Sequence, residues 1–183
     1  MTAKHNPQVM DSEQEEFITN KLGSKLWRMN NLYTIKDKSG KEVIMSLNFA
    51  QAKVLKQFKH NKKIILKSRQ QGISTLYLAY NLDSCIFRAG FEAGIQSYGK
   101  SEGQKLARRA KLMWDKLPKE IKEMLDITLV KCNSDTMEFS NGSVLKIGNF
   151  RGDTLQSLHV SELGKIAKKY PEKARELKTG AFQ

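Results

Sequence analysis

Residues 64–80 read IILKSRQQGISTLYLAY, and this stretch decides how the rest of the chain is interpreted. The apolar run within 62–68 is typical of a buried strand, and the apolar positions of 74–88 predict a well-buried helix. A short basic turn that contains Gly72 lies between them. A turn of this kind aims backbone N–H groups and a helix N-terminus at one point, where a phosphate group can bind.

The sequence on both sides of this stretch continues the alternation of helices and strands. Asn-Gly between two apolar alternations is a strong hairpin signal, and a proline stops or starts a helix. The pattern predicts hairpins in 24–47 and around Asn141-Gly142, helices in 49–58, 101–117 and from Pro171, and strands in 91–98 and 156–160. We therefore expect an α/β domain with a mostly parallel sheet flanked by helices, and a β-hairpin insertion before the last strand.

The charge balance points to a polyanionic partner. The 183 residues include 32 Lys and Arg against 19 Asp and Glu, a net charge of +13. Nucleic acid is the first candidate and an anionic membrane the second, while a merely soluble basic protein stays open. The two cysteines form no CxxC, which argues against a zinc finger or a disulfide scaffold. With no apolar span of about 20 residues and no signal core, we expect a cytoplasmic protein without a membrane partner.

The turn matches the common phosphate-loop pattern G-x-x-x-x-G-K-[ST] only in part. Aligned on Gly72, the chain has Lys67 at the first position, Ile73 in the lysine position, and Ser74 at the hydroxyl that binds Mg²⁺. Arg69 could supply the missing positive charge with bidentate geometry, and Lys67 is a second candidate. An ordinary strand-to-helix turn, with Ser74 capping the helix, is the alternative.

An acidic residue follows another predicted strand. ATPases of the phosphate-loop type need an acid there to hold magnesium or to orient the attacking water. Glu162 comes directly after the strand in 156–160, and Ser161 stands where a magnesium-binding Asp would be. A solvated carboxylate at the end of a strand is the alternative interpretation.

Three segments together resemble the ATPase domain of large terminase subunits, the DNA-packaging motors of tailed phages and prophages. They are KSRQQGIST in 67–75, NFRGDTLQSLHVSELGKIAKKYPEKARELKTGA in 149–181 and, more weakly, FAQAKVL in 49–55. The resemblance implies a P-loop NTPase core of the RecA-like, ASCE type. It divides the chain into a helical and hairpin extension in 1–45 and an ATPase core in 46–183. It also implies truncation before the family's coupling motif and nuclease domain, so we expect no nuclease activity.

The resemblance assigns a role to individual residues. Gln51 would read the adenine, Ser74 would be the metal ligand, and the catalytic residues would be Glu162, Arg69 and Arg151. An ordinary helix-surface glutamine and a surface arginine are the alternatives for Gln51 and Arg151. The implied cofactors are ATP and Mg²⁺, and the implied ATP-binding residues are Gln51, Lys67, Ser68, Arg69, Gln70, Gln71, Gly72, Ile73, Ser74 and Thr75.

The resulting expectation is an ATP hydrolase that moves double-stranded DNA into a capsid. The implied partners are double-stranded DNA, a portal protein and a small terminase subunit, in a ring oligomer of the full-length motor. The location would be the host bacterial cytoplasm, with transient residence on the procapsid. The main alternative is a basic DNA-binding remnant without a competent ATP site. A helicase-like ATPase is disfavoured by Ile73 and Ser161, because such enzymes usually keep the loop lysine and an Asp-Glu pair.

Overall fold

The computed structural model describes residues 16–58, 62–68, 70–148 and 154–177. Its helices are α1 (Phe17–Leu22, a π-helix), α2 (Lys25–Asn31), α3 (Phe49–Lys56), α4 (Ile73–Phe87), α5 (Lys100–Asp115), α6 (Lys119–Met124), α7 (Leu163–Lys169) and α8 (Pro171–Glu176). Its strands are β1 (Thr34–Lys36), β2 (Glu42–Ile44), β3 (Glu92–Gln96), β4 (Leu129–Cys132), β5 (Thr136–Phe139), β6 (Val144–Ile147) and β7 (Ser157–Val160). None of these helices is long and apolar enough to cross a membrane.

Five of the strands form one mixed sheet in the order β4-β5-β6-β3-β7. Strand β3 pairs in parallel with β6 and β7, whereas β4–β5 and β5–β6 are antiparallel. The expectation of a mostly parallel sheet is therefore wrong, because β4, β5 and β6 are joined by short turns that allow only antiparallel pairing. The predicted hairpin is confirmed, with Asn141-Gly142 in the β5–β6 turn and Gly142 at φ 78°. The fold is α/β and compatible with a Rossmann-like arrangement.

Helices α4 and α5 cover the same face of this sheet. Ile95, Ile147 and His159 lie opposite one another on β3, β6 and β7, so their side chains share a face. His159 stacks on Tyr77 of α4, and Gly103 of α5 lies close to Ile147. Since α4 is buried on nearly all sides, it forms the centre of the core. The predicted helices 74–88 and 101–117 are both confirmed within two residues at each end.

A buried ionic cluster ties the N-terminal region to α4. The fully buried Asp83 carboxylate accepts hydrogen bonds from Arg28 Nε at 2.7 Å, Arg28 Nη2 at 2.8 Å and Tyr33 Oη at 2.8 Å. The ammonium of Lys25 lies 3.4 Å from the same carboxylate, and burial lowers the pKa of Lys25 to about 8. The described part of the predicted extension therefore packs on α4 and shares its core.

The predicted strand in 62–68 is wrong. These residues form no strand, and the side chains of Ile64 and Leu66 are 86% and 94% exposed. Strand β7 lies at the edge of the sheet, and the segment does not pair with it. A run of apolar residues indicates the capacity to be buried, but it carries no information on which strand would cover it. The prediction for 24–47 is confirmed only in part. The hairpin of β1 and β2 is present, but helix α2 occupies the first part of the segment.

Candidate functional site

The turn before α4 has the backbone shape that the sequence predicts for a glycine. Gly72 has φ 69° and ψ 14°, in the left-handed region, and Gln70 has φ 62°. A Cβ atom at Gly72 would lie 2.7 Å from Gln51 Nε2. The position therefore excludes a side chain both by its dihedral angle and by the close approach of a neighbour. No side chain of the described residues caps α4, which leaves its first N–H groups available to an anion.

Gln51 supports this turn from the N-terminus of α3. Its Nε2 donates to Gly72 O at 2.9 Å, and its Oε1 accepts from Asn48 N at 3.0 Å. Asn48 completes a capping box, since its Oδ1 accepts from Gln51 N at 2.9 Å. The Gln51 side chain is buried, so it is not the helix-surface residue considered as an alternative. Recognition of adenine would use the second N–H of Nε2 and the second lone pair of Oε1.

The turn and the end of β7 meet through two serine hydroxyls. Ser74 Oγ lies 2.9 Å from Ser161 Oγ, although 87 positions separate them in the sequence. Ser161 N also donates to Gln96 O at 2.8 Å, which joins the same point to the end of β3. The residue in the hydroxyl position of the loop and the residue before the candidate acid are therefore brought together at the carboxyl ends of two parallel strands. Ligands of open α/β sheets bind at this end of the strands.

The other residues of the loop divide into exposed and buried positions. Lys67 and Ser68 are exposed, and Ser68 Oγ accepts from Gln71 Nε2 at 2.9 Å. Ile73 is 3% exposed, so only its backbone N–H can face a ligand. Thr75 is half-buried on the first turn of α4. Two further predicted residues, Arg69 and Arg151, lie outside the described residues.

Glu162 follows β7 as predicted, with an unusual backbone. It has φ 59° and ψ 44°, and its carboxylate accepts from Lys165 Nζ at 2.9 and 3.0 Å. The described non-glycine residues with positive φ are Gln70, Asp126 and Glu162, so two of these three lie in the two predicted motifs. Residues held in such conformations cluster at functional sites.

His159 lies beside the site and was not predicted from the sequence. Its ring stacks on Tyr77 with centroids 4.2 Å apart, and Tyr77 stacks in turn on Phe58 at 4.8 Å. The Nε2 atom is buried and has no hydrogen-bond partner among the described residues. Burial and, secondarily, the charge of Lys67 lower the pKa of His159 to about 4. The alternation of 156–160 places His159 on the face opposite Leu158 and Val160, so the sequence pattern gives no signal for its burial.

The oxygen atoms present fit a magnesium–nucleotide better than a bare metal ion. The described residues contain no group of three His, Cys, Asp or Glu side chains that could hold a metal. Mg²⁺ in nucleotide sites uses one or two protein oxygens, several waters and the substrate phosphates. The Ser74 hydroxyl, next to the uncapped N-terminus of α4, meets this limited requirement. Neither a protein-family model nor a curated protein sequence matches this chain.

Proposed function

We propose that this chain is the ATPase part of a DNA-packaging motor of the large-terminase kind, which couples ATP hydrolysis to movement of double-stranded DNA. The contact between Ser74 and Ser161 carries the proposal, because it joins the Gly72 turn to the end of β7 across 87 positions of sequence. The left-handed backbone of Gly72 at the start of α4 supports it. A turn that does not bind a phosphate requires neither the contact between Ser74 and Ser161 nor the left-handed backbone of Gly72.

Each residue has a defined task in this proposal. The N–H groups at the start of α4 bind the phosphates, and Ser74 is the protein ligand of Mg²⁺, which neutralises phosphate charge when bound. Glu162 orients the attacking water once its carboxylate leaves Lys165. That pair is exposed on both sides, and exposed pairs contribute about 1 kcal/mol or less. Separation of Glu162 from Lys165 therefore costs little free energy.

The basic surface supports a role for DNA. Lys105, Arg108 and Arg109 lie on the exposed side of α5, and the whole chain carries a net charge of +13. Contacts of this type bind phosphates independently of sequence and weaken as salt rises. The portal protein, the small terminase subunit and a ring of subunits belong to the proposed motor as its partners.

A second candidate is a basic DNA-binding module that does not use ATP. The burial of Ile73 and the pairing of Glu162 with Lys165 favour it, because the usual loop lysine is missing and the acid is engaged. Nucleotide binding separates the two candidates.

Calorimetry of Mg-ATP binding tests the proposal on the purified chain and on the variants Arg69→Ala and Ser74→Ala. Both variants should bind at least about tenfold more weakly, the loss expected for one charge-assisted contact. Ser101→Ala is the matched control, since Ser101 is an exposed serine in the first turn of α5. Circular dichroism verifies folding. Absence of binding in the folded chain, or equal binding by Ser74→Ala, would refute the ATPase proposal. Salt-sensitive DNA binding in that case would support the second candidate.

A further inference from the structure

Lys165 lies at the carboxyl ends of β3 and β7, where the proposed ATP site is located. Its ammonium donates to the two carboxylate oxygens of Glu162, at 2.9 and 3.0 Å. The same ammonium lies 4.8 Å from the centre of the Tyr98 ring. Because Tyr98 follows β3 and Glu162 follows β7, this lysine is held between the ends of two neighbouring parallel strands.

A continuous set of contacts joins Lys165 to the Gly72 turn. Ser74 Oγ lies 2.9 Å from Ser161 Oγ, and Glu162 is the next residue along the chain. The hydroxyl of the turn, the candidate acid and the lysine that holds this acid are therefore gathered at one end of β7.

The turn itself lacks the cation that a phosphate loop normally provides. In the common pattern a lysine after the last glycine reaches the β- and γ-phosphates. The residue in that position here is Ile73, which is apolar and 3% exposed. A lysine binds phosphate as a point charge, so the charge can come from another element that ends beside the turn. Lys165 would approach the phosphates from the end of β7.

The pair of Lys165 and Glu162 can exchange partners at little cost. Their side chains are 51% and 40% exposed, and exposed ion pairs contribute little because water and salt screen them. The phosphates of a nucleotide carry more negative charge than one carboxylate, so they attract the ammonium more strongly. Departure of the ammonium leaves the carboxylate of Glu162 free.

We propose that Lys165 is a phosphate-binding lysine of this site and that a bound nucleotide draws its ammonium away from Glu162. This inference rests on the proposed ATPase function and deepens it, because it makes release of the acid depend on the substrate. Without a nucleotide, the carboxylate of Glu162 is engaged by Lys165. With a nucleotide, one movement of Lys165 neutralises phosphate charge and frees Glu162 to orient the attacking water.

Calorimetry of Mg-ATP binding tests the role of Lys165. Lys165→Gln should bind at least about tenfold more weakly, the loss expected for one charge-assisted contact. Lys165→Arg should retain most of the affinity, because it keeps the positive charge. Lys168→Gln is the matched control, since Lys168 is an exposed lysine on the same helix. Thermal melting should show the same Tm for all of these variants, as expected for exposed side chains.

The Glu162→Gln background separates phosphate binding from mere neutralisation of Glu162. A lysine that only neutralised this acid would no longer matter once the acid is replaced by an amide. If Lys165 contacts phosphate, Lys165→Gln should still weaken Mg-ATP binding at least about tenfold in this background. Glu162→Gln alone should bind Mg-ATP more tightly than the parent, because its amide holds Lys165 less strongly.

The outcomes distinguish this inference from the ATPase proposal on which it rests. Equal binding by the parent and Lys165→Gln, or a loss that disappears in the Glu162→Gln background, would overturn the role of Lys165 alone. Weaker binding by Glu162→Gln than by the parent would contradict the exchange of partners. Absence of Mg-ATP binding in the folded parent would overturn both proposals.

Discussion

Replacement of His159 by phenylalanine should remove a large part of the pH dependence of stability in mild acid. The imidazole is stacked on Tyr77 at 4.2 Å, and its Nε2 is buried without a partner among the described residues. Protonation of Nε2 would bury a positive charge whose N–H has no hydrogen-bond acceptor among the described residues. A phenyl ring is similar in shape, so it preserves the stack and cannot be protonated.

The magnitude follows from the pKa of His159. Burial, assisted by the charge of Lys67, lowers this pKa from 6.5 to about 4. Between those two values the unfolded chain holds a proton that the folded chain lacks, so the free energy of unfolding rises with pH. Each pH unit of difference corresponds to about 1.4 kcal/mol, which makes the total about 3 kcal/mol. This contribution is complete above pH 6.5 and is lost as the pH falls towards 4.

Urea unfolding followed by tryptophan fluorescence at several pH values from 4 to 7 measures the effect. The parent chain should gain stability over this range, and His159→Phe should lack the largest part of that gain. Lys67→Gln is an informative second variant, because removal of the nearby charge should move the pKa of His159 upwards and reduce the gain. If the parent and His159→Phe showed the same dependence on pH, the account of the buried imidazole would be refuted.

Three further changes test the packing of the molecule by urea unfolding. Gly72→Ala should lower the free energy of unfolding by about 2 to 3 kcal/mol, because the new side chain meets both a positive φ and the side chain of Gln51. Gly90→Ala is the control, at φ 65° with no atom within 4 Å, and should lower it by about 1 kcal/mol. Equal losses would contradict the steric contribution of Gln51. Asp83→Ala should lower the free energy of unfolding by about 3 to 5 kcal/mol, because it leaves the buried guanidinium of Arg28 without its partner. A loss below about 1 kcal/mol would contradict this reasoning. Ile73→Lys restores the usual loop lysine, yet it should destabilise the chain, because the position is 3% exposed; unchanged stability with tighter Mg-ATP binding would contradict the inward orientation of this side chain.

Local sequence patterns predicted the elements whose structure is decided locally. The Asn141-Gly142 turn, the amphipathic helix α5 and the buried helix α4 are encoded by a few neighbouring residues, and all three are present. The strand predicted in 62–68 depends on a pairing partner, which no pattern within the segment supplies. The prediction of a mostly parallel sheet is wrong for a related reason, since the two short turns of β4–β6 make two of the four strand pairs antiparallel.

The candidate site follows the same division between local and long-range information. The left-handed position at Gly72 could be predicted from residue type, and the proximity of the carboxyl ends of β3 and β7 follows from parallel pairing. The roles of Gln51 in holding the turn and of Asp83 in joining α2 to α4 could not be predicted. Each depends on a contact between residues at least 21 positions apart. Gln96 and His159 have a buried polar atom whose lack of a partner is visible only in three dimensions.

The burial of Ile73 explains how this turn can retain its shape without the usual lysine. The apolar side chain anchors the first turn of α4 in the protein interior, and Gln51 holds Gly72 O from the opposite side. The backbone N–H groups are thereby directed by packing, so they do not depend on the charge of the residue at position 73. In the proposed ATP site, the charge for a phosphate would then come from Lys67 and Arg69, which precede Gly72 in the sequence. For this reason Arg69→Ala, which changes the charge and keeps Ile73 and Gln51 in place, tests phosphate binding more directly than any substitution of Ile73.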